Sequence, residues 1–71
     1  MPEFHEDLHN DWQQRVLQEK AELKTRTDAL VAFHQSGAYK ALDPIDQQLL
    51  HAQLNIMLAY TNVLNLRIGR F

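Results

Sequence analysis

Cysteine is absent from the 71-residue chain, which excludes disulfides and thiolate metal sites. Glycine and proline occur only twice each, so long stretches run without a breaker. Positive charge is not in excess either, with seven Lys+Arg against nine Asp+Glu and a formal net charge of −2. Nucleic-acid binding draws its affinity from clustered cations that neutralise phosphates, so no nucleic-acid partner is expected. No run of about 18 apolar residues suggests a membrane span, and no basic-then-apolar signal peptide appears at the N-terminus, so a soluble cytosolic protein is expected. A domain this small buries too little surface to be comfortable alone. With disulfides excluded, self-association is the expected source of further stability.

What is present is helix former. From Asn10 to Gln35 the residues favour helix, and Asn10 with Gln13 three positions later reads as a capping box, with a start near Glu3 also open. Ser36-Gly37 reads as a stop, because glycine accepts the left-handed conformation that ends many helices. Asp43-Pro44 restarts the chain: Asp43 caps free amides, Pro44 suits the first helical position, and Asp46 complements the dipole. The expected fold is all-α, one antiparallel two-helix hairpin domain. Its helices cover about 7–35 and 44–68, with a connector at about 36–43.

The second helix carries two apolar seams. Leu49, Ala52, Ile56, Ala59, Val63 and Leu66 alternate spacings of three and four, a heptad pattern, and Leu50, Leu54, Met57, Thr61, Leu64 and Ile68 repeat it on an adjacent face. The first helix offers one stripe, Trp12, Val16, Leu23, Leu30 and Phe33, with Leu17 and Val31 beside it. One stripe cannot cover two seams. A homo-oligomer follows, a homodimer resembling a four-helix bundle being the simplest form and a higher oligomer staying open, with Leu49, Ile56, Met57, Tyr60, Val63 and Leu64 as its expected interface.

One string carries a chemical suggestion. His5-Glu6-Asp7-Leu8-His9 spells H-E-x-x-H, in which two histidines bind zinc and the glutamate activates water. Neither the third ligand nor a walled cleft is evident, so the match reads as accidental, and no enzyme activity, metal or cofactor is expected. His34 and His51 lie too far apart in sequence to form a motif. The acidic start (Glu3, Glu6, Asp7, Asp11) and the basic finish (Arg67, Arg70) meet in an antiparallel hairpin and could pair weakly, or the two arginines could hold an anion. In the connector, Tyr39 stands between Ala38 and Lys40. Either it plugs the bundle end, or it faces outward as a partner-binding anchor with Ala38 and Lys40.

Arg15-Val16, Glu19-Lys20, Glu22-Leu23, then Tyr39, Leu42, Leu49, Leu50 and Gln53, then Met57, Tyr60, Val63 and Leu64 form a pattern spanning nearly the whole chain. It resembles short helical phage accessory proteins of the host-takeover type, similar to the quorum-sensing anti-activator proteins of Pseudomonas phages. The resemblance implies a non-enzymatic inhibitor that acts in the host cytoplasm by binding host bacterial proteins. A LuxR-type quorum-sensing regulator and the type IV pilus assembly ATPase are the targets it implies. Two other classes stay open: an oligomeric sponge for cyclic-nucleotide immune signals, and a small phage structural or assembly protein. A sponge needs symmetric cationic pockets with a stacking aromatic, and no cationic cluster stands out along the chain.

Overall fold

The computed structural model describes the backbone of residues 2–71 and the side chains of residues 11–71. Three helices follow one another: α1 (Pro2–His34), α2 (Gly37–Lys40) and α3 (Pro44–Ile68). The two long helices pack against each other as a hairpin in a rod of 58 × 17 × 15 Å. No strand occurs among the described residues, and none of their helices is long and apolar enough to cross a membrane.

Helix α1 starts at Pro2 and runs through Asn10 without a break, so Asn10 is an interior residue and the expected capping box does not begin the helix. Its 33 residues reach about 50 Å at 1.5 Å each, against about 37 Å for the 25 of α3. The start of α3 follows its sequence signals: the Asp43 carboxylate accepts from the Ile45 amide at 2.9 Å, and Pro44 opens the helix. Gly37 departs from expectation. No described glycine has positive φ, and Gly37 opens α2 instead of ending α1 in the left-handed region. The reason is Ser36. Its hydroxyl accepts from the Tyr39 amide at 3.2 Å and donates to the Phe33 carbonyl at 2.6 Å, capping a new turn while finishing the old one.

The two seams of α3 separate cleanly. Leu64 is fully buried against Val16 and Leu23, with Met57 and Ile68 packed onto the same cluster. This is the second seam, and Leu50, Leu54 and Thr61 are half-buried along it. The first seam finds no cover among the described residues: Leu49, Ala52, Ile56, Ala59, Val63 and Leu66 are all exposed. Of the interface residues expected from sequence, Leu64 is therefore spent inside the chain and Met57 leans on that core. Leu49, Ile56, Tyr60 and Val63 remain accessible.

On α1, Val16, Leu23, Leu30 and Phe33 of the expected stripe are sheltered, Trp12 is exposed, and polar residues join them. Gln13, Val16, Lys20, Leu23, Thr27, Leu30 and His34 follow one another at alternating spacing, while Leu17 and Val31 stay largely exposed. Polar residues enter this seam because each has a way out of its polarity. Thr27 is buried yet donates its hydroxyl to the Leu23 carbonyl at 2.7 Å, leaving its methyl for packing. Lys20 can lay its methylene stem along the seam and keep its ammonium wet. Trp12 meets Phe71 edge-on at 5.2 Å, closing the far end of the hairpin. The outer face of α1 carries ion pairs one turn apart, Asp11–Arg15, Glu22–Arg26 and Lys24–Asp28. Asp11 is therefore engaged by Arg15 on its own helix and not by Arg67 or Arg70. These pairs are solvent-exposed and each is worth a few tenths of a kcal/mol, about 0.3–0.5.

Candidate functional site at the hairpin tip

The connector is not a loose loop. The single turn of α2, capped by Ser36, carries Tyr39 back over the end of α1, where its ring stacks on His34 with centroids 4.4 Å apart and planes 29° apart. The same ring meets Phe33 edge-on at 6.1 Å. Its hydroxyl donates to the Gln47 carbonyl at 3.3 Å. The Gln47 side-chain amide in turn donates to the carbonyls of Tyr39 at 2.9 Å and Lys40 at 3.4 Å. This reciprocal pair ties α2 to the first turn of α3. Tyr39 is half-buried, one face against His34 and its hydroxyl bound. Its neighbours Ala38 and Lys40 are exposed.

Beside Tyr39 the surface opens into a cavity of about 300 Å³ lined by Tyr39, Pro44, Gln47, Gln48 and His51. The two histidines that sequence separates by 17 positions stand with ring centroids 6.3 Å apart. His34 Nδ1 lies 2.9 Å from the Leu30 carbonyl, an acceptor, so this nitrogen carries the proton. Its Nε2 is buried and without a hydrogen-bond partner among the described residues. The wall thus offers an aromatic face, two carboxamides, an imidazole and a pyrrolidine ring. Such a surface can stack a flat molecule and hydrogen-bond its edge.

Sequence reasoning placed Tyr39 and Lys40 at this end but not Gln47, Gln48, His34 or His51. The signal was available: a hairpin turning near Leu42-Asp43 brings residue 34 opposite residue 51, and reading the two histidines by sequence separation alone concealed it. Other candidates fall elsewhere. The side chains of His5, Glu6 and His9 lie outside the described residues, as do those of Glu3 and Asp7. Among the described residues no three His, Asp or Glu side chains gather as a metal site. Arg67 and Arg70 are exposed at the opposite end of α3 from the cavity.

The model of one family, Sequestin, matches residues 10–70. The chain belongs to the Sequestin family. The matched stretch takes in the tip, both seams of α3 and the whole of α1 from Asn10 onward, and the family name denotes a binding protein that holds its ligand. No curated protein and no solved structure matches the chain.

Proposed function

We propose that this Sequestin family member is a non-enzymatic phage protein that works in the host cytoplasm by stoichiometric sequestration, and that the tip cavity holds a small planar ligand of the nucleotide class. The observation that carries this reading is the cavity itself: about 300 Å³, walled by the Tyr39 ring, His51 and the amides of Gln47 and Gln48. That volume sits at the lower end of the range for small-molecule pockets. A nucleobase presents a flat face and an edge of donors and acceptors, the two features this wall answers. Lys40, exposed and next to Tyr39, supplies a cation for a phosphate. Sequestration needs no reacting group; it needs affinity and copy number, and a 71-residue chain supplies binding sites cheaply in mass.

Tyr39 is held by His34, Phe33 and Gln47, which favours a preformed pocket wall over an adaptable anchor reaching for a protein. The host-protein reading, with a LuxR-type regulator or the pilus ATPase as target, draws its support from the exposed apolar face of α3. One experiment separates the two. Purified protein is titrated calorimetrically with a panel of mononucleotides and cyclic dinucleotides, then heat-denatured to release what it held, unaltered, for mass spectrometry. Retention of an intact nucleotide that is lost in Gln48→Ala or His51→Ala supports the tip site. Silence across the panel, with a LuxR-type regulator or the ATPase captured instead, overturns it.

A further inference from the structure

The exposed face of α3 is self-complementary. Leu49, Ile56 and Val63 occupy one set of heptad positions, and Ala52, Ala59 and Leu66 the other. In an antiparallel pair of identical helices each set faces the other. A two-fold axis level with the Met57–Leu58 peptide then sets Leu49 against Leu66, Ala52 against Val63, and Ile56 against Ala59 of a second copy. Each branched side chain at the centre meets an alanine. A parallel pair in the same register sets Ile56 on Ile56 and Ala59 on Ala59, crowding one layer and hollowing the next.

Charge points the same way. Asp46 and Arg67 are the two charged side chains of α3, at opposite ends of the helix, and neither joins an ion pair within the described residues. They fall on the same flank of the apolar seam. Antiparallel pairing in this register brings Asp46 alongside Arg67 of the second copy, and Arg67 alongside its Asp46. Parallel pairing leaves all four without partners. The face also approaches the size of a standard interface. Ile45, Leu49, Ile56, Val63 and Leu66 remain 66%, 63%, 69%, 51% and 73% exposed. Together they present on the order of 600 Å², against ~800 Å² per partner in a standard interface.

We infer that the occupant of this face is a second copy of the chain, with its α3 antiparallel across a two-fold axis at Met57–Leu58 and reciprocal Asp46–Arg67 ion pairs at both ends. The inference is independent of the ligand held at the tip. The pairing places the two tip cavities at opposite ends of the paired helices, so one dimer holds two ligands without the sites touching.

The cysteine-free chain makes the register directly readable. Leu49→Cys and Leu66→Cys variants are prepared separately, then refolded together and oxidised. Antiparallel pairing crosslinks the mixture at least fivefold more than either variant alone. Efficient crosslinking of Leu49→Cys with itself overturns the inference in favour of a parallel pair, and absence of crosslinks from all three samples overturns it altogether. Sedimentation of the unmodified chain at tens of micromolar gives a dimer, and a monomer there refutes the pairing. Asp46→Arg and Arg67→Asp each weaken the dimer roughly tenfold, two exposed pairs being lost together. The double variant recovers most of the loss; failure to recover places the charges elsewhere. Nucleotide titration of the same samples reads the tip site separately, so loss of one property does not count against the other.

Discussion

Leu64 is the side chain on which the hairpin depends most, and its truncation is the sharpest test of how the chain is stabilised. It is the one described residue with no exposure at all, seated between Val16 and Leu23 with Met57 and Ile68 against it. Leu64→Ala removes buried methyl and methylene groups and leaves a hole that a close-packed interior would refill only in part. Comparable substitutions in larger proteins cost about 2–5 kcal/mol. The hairpin sits toward the lower end of that span, about 2–3 kcal/mol, because its core is one seam thick and two helices can settle together more easily than a multilayered core. Against a total stability that for a small domain is about 5 kcal/mol, this is a large fraction. Urea unfolding followed by circular dichroism at fixed protein concentration measures it, and Leu66→Ala serves as the counterpart. Leu66 is 73% exposed in the single chain, so its truncation should do little to the hairpin itself and act through association. The Leu66→Ala loss is therefore near zero at concentrations where the chain is monomeric and grows to a plateau as the dimer populates, whereas the Leu64→Ala loss is present at every concentration. A Leu64→Ala cost below about 1 kcal/mol would refute the core described above.

Three further outcomes follow from the tip and the N-terminal segment. Gly37→Ala should raise stability by about 0.4–1 kcal/mol, since Gly37 opens a helix without positive φ and a Cβ there meets nothing within 4 Å; a loss in thermal melting would place it in the left-handed region after all. Tyr39→Phe keeps the stack on His34 and loses only the hydrogen bond to the Gln47 carbonyl, so urea unfolding should register about 0.5–1.5 kcal/mol, while Tyr39→Ala costs more and weakens ligand retention as well. Replacing His5 and His9 together with alanine should leave melting temperature and ligand retention within error; a tight zinc site by calorimetry, lost in that variant, contradicts an accidental H-E-x-x-H.

Two helices, their antiparallel order and the start of α3 were legible because each rests on local chemistry. Asp43-Pro44 writes a helix start in adjacent residues, and the period of the α3 leucines is visible by counting. The division of the two seams was also foreseeable, one for α1 and one left over, since α1 lacks apolar residues for both. Most of the α1 stripe was legible too (Val16, Leu23, Leu30 and Phe33 are sheltered), but its polar members and the place of Trp12 were not. Thr27 reads as polar in sequence, yet its hydroxyl finds the Leu23 carbonyl one turn back and the residue behaves as a packed methyl. Trp12 reads as core, and its ring instead caps the hairpin end beside Phe71 at 43% exposure. The tip failed for a different reason. Ser36-Gly37 carries a stop and a start in the same two residues, and only the hydroxyl's two hydrogen bonds show that both are used.

The same economy explains how one helix serves several purposes at once. Across α3 from Gln47 to Leu66 there is no Asp, Glu, Lys or Arg, so both seams can be dry while the polar work is left to carboxamides and His51. Gln47 faces the connector, Gln48 and His51 face the cavity, and Leu49 begins the exposed seam, all within the first two turns. A change that tilts the start of α3 therefore moves the cavity wall and the apolar face together. With Val16, Leu23 and Leu64 as the buried apolar core among the described residues, the single hairpin has little stability to spare for such a tilt. Covering the exposed first seam with the second copy inferred above would add stability, from the side opposite α1. The cavity itself is walled by residues of one hairpin, so its occupancy should hold when dilution drives the chain below the concentration at which α3 is covered.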